Sequence, residues 1–437
     1  MQKTDVVIVG SGCSGLYCAL KLSPDQNILI ITKSQVENSD SFLAQGGICM
    51  LTDDSDYDSY FEDTMRAGHY ENDKKSVDIM IRSSRHVVQD LMDYGVEFQR
   101  NPDGSLAFTR EGAHSRKRIL FHEDLTGKEI TSKLLAQVKQ CPNITIMENT
   151  TMLDIISTDN TCYGIVMEKP DHTLEEVFAQ TTILATGGIG GLYQHSTNFP
   201  HLTGDALAVA LRHKVELENI DYIQIHPTTL YSQENRSFLI SESVRGEGAK
   251  LYNKNMERFV DELSPRDVLT EAILAQMKKD QTDYVWEDLR PIPAEELQKH
   301  FPNIVQHCRE MGYDVTRECI PVVPAQHYFM GGIKVDYDSK TSMGQLYAIG
   351  ETACNRVHGK NRLASNSLLE SLVFADRAAQ SITAGVETTS SRHPTTEEIL
   401  GRLYLRNYEN ADALEQSYQE QVKQQIHKEQ QSRKEVV

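Results

Sequence analysis

Asp5-Val6-Val7-Ile8-Val9-Gly10-Ser11-Gly12-Cys13-Ser14-Gly15-Leu16-Tyr17-Cys18-Ala19-Leu20 decides the fold of this chain. Its first five residues form a short apolar run of buried-strand type. Its last five continue at helical spacing. Between them lies GxGxxG, in the strand–turn–helix setting that gives the pattern meaning. The glycines permit a tight turn, close approach of a pyrophosphate and close packing of helix on strand. The phosphate then sits at the helix N-terminus, where free amides and the helix dipole favour an anion. The bland reading is a glycine-rich turn in an unrelated sheet.

The next apolar run, Ile28-Leu29-Ile30-Ile31, reads as the second strand. A simple NAD site places Asp or Glu at its end to hold the ribose. Here Thr32-Lys33 stand there. That departure weakens NAD and leaves FAD, with Lys33 placed to hold part of the adenosine.

At 437 residues the chain has room for two or three domains and a large core. A formal charge of −19 argues against nucleic acid or an anionic membrane as partner. No apolar run has membrane-spanning length. The first strand begins almost at once, so no signal peptide is expected, and the setting is read as cytoplasmic. The eight cysteines are scattered without a C-x-x-C pair, which fits a reducing compartment and no Cys-based metal site. Cys13, inside the phosphate loop, reads as a small packing residue.

Outward from the N-terminus, a polar loop (Ser39 to Gly47) closes on Gly46-Gly47. Helices are expected near Tyr57–His69 and Val77–Tyr94. Another starts at Thr126, where the Thr126/Glu129 spacing resembles a capping box. Short strands follow at Ile144–Met147, Leu153–Ile156 and Gly164–Met167, and a buried strand at Thr181–Ala185 leaves through Thr186-Gly187-Gly188. From about Ile220 to Tyr328 prolines, histidines and charged helices replace apolar strands. Sheet character returns at Gly331–Val335 and Leu346–Ile349. The expected class is therefore α/β. A Rossmann-like FAD-binding domain (residues 1–219 and 329–391) is interrupted by an inserted α+β capping domain (220–328). Residues 392–437, rich in Gln, Glu and Lys, form a short helical or disordered tail.

Near the end of the second part, Arg362-Leu363-Ala364-Ser365-Asn366-Ser367-Leu368-Leu369-Glu370 follows a strand and opens a helix. An Arg and a helix N-terminus are thus delivered together, a pairing suited to a carboxylate substrate beside an anionic cofactor.

Taken in order, GSGCSGL, AQGGI, TREGAHSRKRI, LATGG, IQIHPTTL, LSPRDV, AQHYFMGGI, YAIGE and NRLASNSLLESL cover residues 1 to about 385. Together they resemble the fumarate reductase/succinate dehydrogenase flavoprotein superfamily, and within it the L-aspartate oxidase family. The resemblance implies FAD-dependent oxidation of L-aspartate to iminoaspartate, with oxygen or fumarate as electron acceptor. That is the first step of NAD biosynthesis via quinolinate, with possible transfer of the product to quinolinate synthase. It implies that Arg362, His226 and His327 hold the substrate carboxylates, that Arg266 donates or accepts the proton, and that Glu111 faces the substrate amine, with His114 in the same loop. The FAD contacts it implies are Ser11, Gly12, Cys13, Ser14, Lys33, Asp40, Ser41, Phe42, Leu43, Ala44, Gln45, Gly46, Gly47, Met152, Leu153, Asp205, Glu351, Ser365, Ser367 and Leu368. From its chemistry alone Arg266 would be an anion clamp, since a free guanidinium, with a pKa above ~12, is a poor base.

Two features depart from the pattern. Respiratory members attach FAD through a His five residues before the Gln of AQGG; here that position is Asp40, so noncovalent FAD is expected. The longer helical C-terminal domain usual in aspartate oxidases is reduced to a short tail. The alternative enzyme is a soluble fumarate reductase or succinate dehydrogenase-type flavoprotein. A flavin binder without turnover is the reading from another class, and the full set of Arg266, His226, His327 and Arg362 argues against it. Arg110, Arg116, Lys117 and Arg118 form a basic cluster that would either steer a dianion or form a solvated loop.

Overall fold

The computed structural model describes residues 2–232, 236–386, 408 and 410–436. Strand β1 (Gln2–Val9) runs into helix α1 (Cys13–Lys21), and β2 (Ile28–Ile31) pairs with β1 in parallel. Short helix α2 (Asp40–Leu43) and strand β3 (Ile48–Cys49) carry the loop that ends in Gly46-Gly47. Helices α3 (Tyr57–Ala67) and α4 (Lys74–Asp93) follow; the Asp73 side chain caps α4 by accepting from the amides of Lys75 and Ser76. Strand β4 (Ile119–Leu120) pairs with β3, and α5 (Thr126–Val138) leads to β5 (Ile144–Met147) beside β2. A meander of β6 (Thr151–Thr158), β7 (Thr161–Glu168) and β8 (Leu174–Leu184) completes the first segment. The main sheet has the order β5-β2-β1-β8-β7-β6.

The capping box expected at α5 is not formed. Thr126 lies inside the helix and its hydroxyl accepts from the amide of His122, while Glu129 accepts from the amide of Glu97.

After α6 (Asp205–Arg212) and β9 (Leu217–Glu218) the chain enters a second sheet through β10 (Ile223–Leu230). Helix α7 (Glu242–Gly246), strand β11 (Lys250–Tyr252), helix α8 (Arg266–Asp280), strand β12 (Val285–Asp288) and helices α9 (Ala294–His300) and α10 (Pro302–Glu310) follow. The chain leaves by β13 (Ile320–Phe329), giving an antiparallel sheet of order β10-β13-β12-β11. This unit has its own apolar core, from Leu230 and Ile240 to Ile320 and Val322. Strand β14 (Gly332–Lys334) joins a small separate sheet with β9 and β16 (Ala353–Cys354), whereas β15 (Leu346–Ala348) returns to the main sheet against β8. Helix α11 (Asn366–Val386) starts just past β16.

Strand alternation sorts β1 between two cores. Val6 and Ile8 join the cluster under α1, α4, α5 and α11; Val7 and Val9 join the one under α6. Of the tail foreseen at 392–437, residues 392–407, 409 and 437 lie outside the described residues, as do 387–391. The remainder contains a docked helix of 26 residues, α12 (Ala411–Val436). Tyr418, Val422 and Ile426, four residues apart, form the stripe it buries against the α6 side. Among the described residues no helix is long and apolar enough to cross a membrane.

Candidate active site

A cavity of about 670 Å³ runs from the phosphate loop to the underside of the second sheet. At the loop, Gly10 has φ +117° and an added Cβ there would lie 2.0 Å from the Ala185 carbonyl oxygen. A Cβ on Gly15 would lie 2.3 Å from the Gly10 carbonyl oxygen. Both glycines are needed for close packing, and they leave Gly12, Cys13 and Ser14 lining the cavity at the start of α1. Ser11 lines it too, but its hydroxyl turns back to Val36 and Thr32, so its backbone is what faces the cavity. Burial pushes the Cys13 thiol up to about 11, in keeping with a packing role.

All of Asp40, Ser41, Phe42, Leu43, Ala44, Gln45, Gly46 and Gly47 line the cavity, and so do Lys33, Met152, Asp205, Glu351, Ser365, Ser367 and Leu368. Leu153 does not. Its neighbour Met152 faces the cavity, and strand alternation turns Leu153 into a cluster with Ile156, Val166, Phe178 and Tyr408. Lys33, the expected adenosine contact, lines the cavity with its amine held by Asp205 at 2.7 Å and by Glu415. The buried atoms Ser39 Oγ, Asp40 Oδ2 and Gln45 Oε1 on the cavity wall have no protein partner. A long cavity with a glycine cradle for phosphate and unpaired polar atoms along its wall fits a flavin dinucleotide. Burial raises Asp40 to about 7 although the Phe199 amide donates to it, and raises Glu351, which accepts from the Phe329 amide, to about 8.

At the far end the structure brings together Glu111, His226, Arg266, His327 and Arg362, all lining the same cavity. Strands β10 and β13 carry the two histidines, whose rings meet edge to face with centroids 5.1 Å apart. Burial and the Arg266 charge hold both well below the usual imidazole range, so both are neutral at pH 7. His327 Nδ1 is 2.7 Å from the Thr197 hydroxyl, while His226 Nε2 is buried with no protein partner. Arg266 is the first residue of α8; its Nε donates to Glu242 at 2.6 Å and its Nη1 to Gln224 at 2.8 Å. Arg362 donates to the same Gln224 oxygen and to Ser367, and its guanidinium carbon lies 4.5 Å from the centre of the Tyr328 ring. Burial and Arg266 lower Arg362 to about 10, which leaves it cationic at neutral pH. Glu111 accepts from the hydroxyls of Ser243 and Ser365, and burial together with Glu242 raises it above the ordinary carboxylate range.

Three residues at this end were missed from sequence: Glu242, Gln224 and Tyr328. Gln224 spans the two arginines, and only the register of β10 could have placed it. His114 and Arg118 behave otherwise than expected. Arg118 is fully buried between Asp56 and Asp63, so it steers nothing. It donates to His114 Nδ1, which leaves the hydrogen on Nε2 to be donated to the Ala364 carbonyl, 3.0 Å away. His114 thus braces the loop bearing Arg362 from behind.

These features define a flavoprotein that handles a small anionic substrate. The FAD binding domain family matches residues 5–368. The L-aspartate oxidase of Clostridium perfringens is 49% identical over 385 residues, 88% of this chain and 87% of that protein. That of Clostridium acetobutylicum is 49% identical over 382 residues, 87% and 88% of the two chains. Among solved structures, the E. coli quinol fumarate reductase flavoprotein superposes with a TM-score of 0.85 at 30% identity, covering 95% of this chain and 74% of that one. The chain belongs to the L-aspartate oxidase family within the FAD-binding flavoproteins.

Proposed function

We propose that this chain oxidises L-aspartate to iminoaspartate, using FAD held without a covalent link. The observation that carries the reading is the buried carboxylate Glu111, bonded to two serine hydroxyls, in a pocket where Glu242 is taken up by Arg266 and where Arg266, Arg362, His226 and His327 suit a dianion. A plain dicarboxylate gives no use for that negative group; an amino dicarboxylate brings an ammonium that needs it. Its relatives' higher identity, 49% against 30% for the fumarate reductase, favours this over the fumarate reductase alternative.

FAD in the cavity supplies the hydride acceptor. The chain's own residues do the rest. Arg362 grips one carboxylate in its planar fork. Thr228 offers His226 Nδ1 either its carbonyl at 2.9 Å or its amide at 3.2 Å. A carboxylate at Nε2 selects the tautomer with hydrogen on Nε2, so that the ring donates. His327 donates beside it. Glu242, holding Arg266 Nε, keeps that guanidinium turned into the pocket, where it would take the proton that the nitrogen loses as the Cα hydrogen leaves as hydride and C–N becomes C=N. Glu111 accepts from the substrate ammonium. Oxygen, giving hydrogen peroxide, and fumarate both suit a small-molecule acceptor at this cavity, and iminoaspartate would pass on to quinolinate synthase. With no disulfide among its cysteines the chain suits a cytoplasmic setting.

The test is anaerobic mixing of the FAD-loaded protein with L-aspartate or succinate, followed by the flavin absorbance. Aspartate should bleach the yellow colour rapidly and succinate far more slowly. Equal bleaching by both would refute the assignment.

A further inference from the structure

The C-terminal helix α12 lies outside the family match, which ends at residue 368, yet it touches three segments that line the cofactor cavity. Its Glu415 forms an ion pair with Lys33 at the end of β2, and the same amine lies 2.7 Å from Asp205 at the start of α6. Its Val422 packs over Gly204, the residue before Asp205, where an added Cβ would meet it at 3.6 Å. Its Tyr418 hydroxyl donates to the carbonyl of Leu153, next to the lining residue Met152. Among the described residues no hydrogen bond or ion pair is found between α12 and Glu111, Arg266 or Arg362.

A dinucleotide site of this topology places an acid at the end of β2 to meet the ribose. This chain has a lysine there, and the carboxylates come from elsewhere, Asp205 from α6 and Glu415 from α12. Asp205 is already committed, accepting from Lys33 through Oδ2 and from the Thr203 hydroxyl through Oδ1. Without Glu415 the lysine amine would keep Asp205 and a long contact to the His201 carbonyl, 3.5 Å away, and its side chain would have a second rotamer family open to it across the cavity rim.

We propose that Glu415 is a positioning residue for the cofactor: by holding the Lys33 amine beside Asp205, it makes the C-terminal helix part of the FAD-binding site. This rests on the cavity being an FAD site. Linkage makes the effect reciprocal, so FAD tightens the docking of α12 by the factor by which α12 tightens FAD.

The experiment titrates apoprotein with FAD, read by flavin fluorescence, for wild type, Glu415→Gln, Glu415→Asp, Lys33→Met and the Glu415→Gln/Lys33→Met pair. Glu415→Gln should raise the Kd for FAD roughly tenfold. Glu415→Asp should recover part of the loss, and Glu415→Gln should add little once Lys33 is gone. In wild type, FAD should slow proteolysis within α12; in Glu415→Gln this protection should shrink. An unchanged or tighter Kd for Glu415→Gln overturns the proposal. So does an effect undiminished in the Lys33→Met background, since it would come from helix docking in general. Wild-type protein that takes up no FAD would overturn the cofactor reading and this inference with it.

Discussion

Glu111 shows how one side chain is given a task by its surroundings. Its two oxygens receive hydroxyl donors from Ser243 and Ser365, and Glu242 and burial push it toward the protonated form. A substrate ammonium reverses that push, because a positive charge at hydrogen-bond distance favours the carboxylate. Glu111→Gln should therefore lower kcat/KM for aspartate by on the order of 2–5 kcal/mol, while fumarate reduction, whose substrate has no amine, changes far less. Steady-state assays of both reactions on one preparation decide it; an equal fall in the two would make Glu111 structural. The sign with pH follows from the raised pKa. Glu111 gains its proton as pH falls, so aspartate turnover should drop on the acid side earlier in wild type than an ordinary carboxylate would allow. The residues readable in the sequence sat in short distinctive strings such as SPRD and NRLAS. Glu242 and Arg245 had no such signal. Opposite charges three apart on a helix are a common surface pattern, and only the packing of α7 buries both, Glu242 in the cavity wall and Arg245 outside it against the Thr228 hydroxyl and the Glu262 carbonyl.

At the scale of elements, strands with four apolar residues in a row, such as the end of β1 and β2, were legible because burial on both faces leaves a continuous apolar run. Of the separate small sheet, β14 was legible within Gly331–Val335, but the two-residue strands β9 and β16 carry no period to read, so its pairing there was not. Strand β12 holds a different lesson. Glu287 is fully buried there, with neither carboxylate oxygen bonded, and burial raises it from 4.5 to about 7. Below pH 4.5 folded and unfolded chains both carry its proton, and nothing is lost. As pH rises from 4.5 to 7 the unfolded chain releases that proton while the folded one keeps it, so stability falls across that window. Glu287→Leu removes the loss. Its stability advantage over wild type should grow by about 3 kcal/mol between pH 4.5 and 8, somewhat less because Arg245 loses a nearby negative charge. Urea melts at the two pH values measure it, and an advantage independent of pH would show that Glu287 is already ionised in the fold.

For the whole molecule, the two lobes enclose a cavity whose polar wall atoms are unpaired in the protein alone, so ligand and fold are thermodynamically linked. Stripping FAD should lower the melting temperature, and adding FAD to 100 times its Kd should restore about 2.7 kcal/mol. A melting temperature indifferent to FAD would show that the lobes hold themselves together without it. The change of sequence character near Ile220 and its return after Tyr328 fall close to the start of β10 and the end of β13. The docking of the last helix was not, because its stripe of Tyr418, Val422 and Ile426 is sparse among polar residues. Cys13, on the wall of that same cavity, bears on how long such a catalyst survives. Were oxygen the acceptor, as proposed above, peroxide would form in this cavity, and peroxide attacks thiolate far faster than thiol. With the thiol held near 11, only about a thousandth of it is thiolate at pH 8. The phosphate loop thereby carries a sulfur that peroxide formed there could scarcely damage.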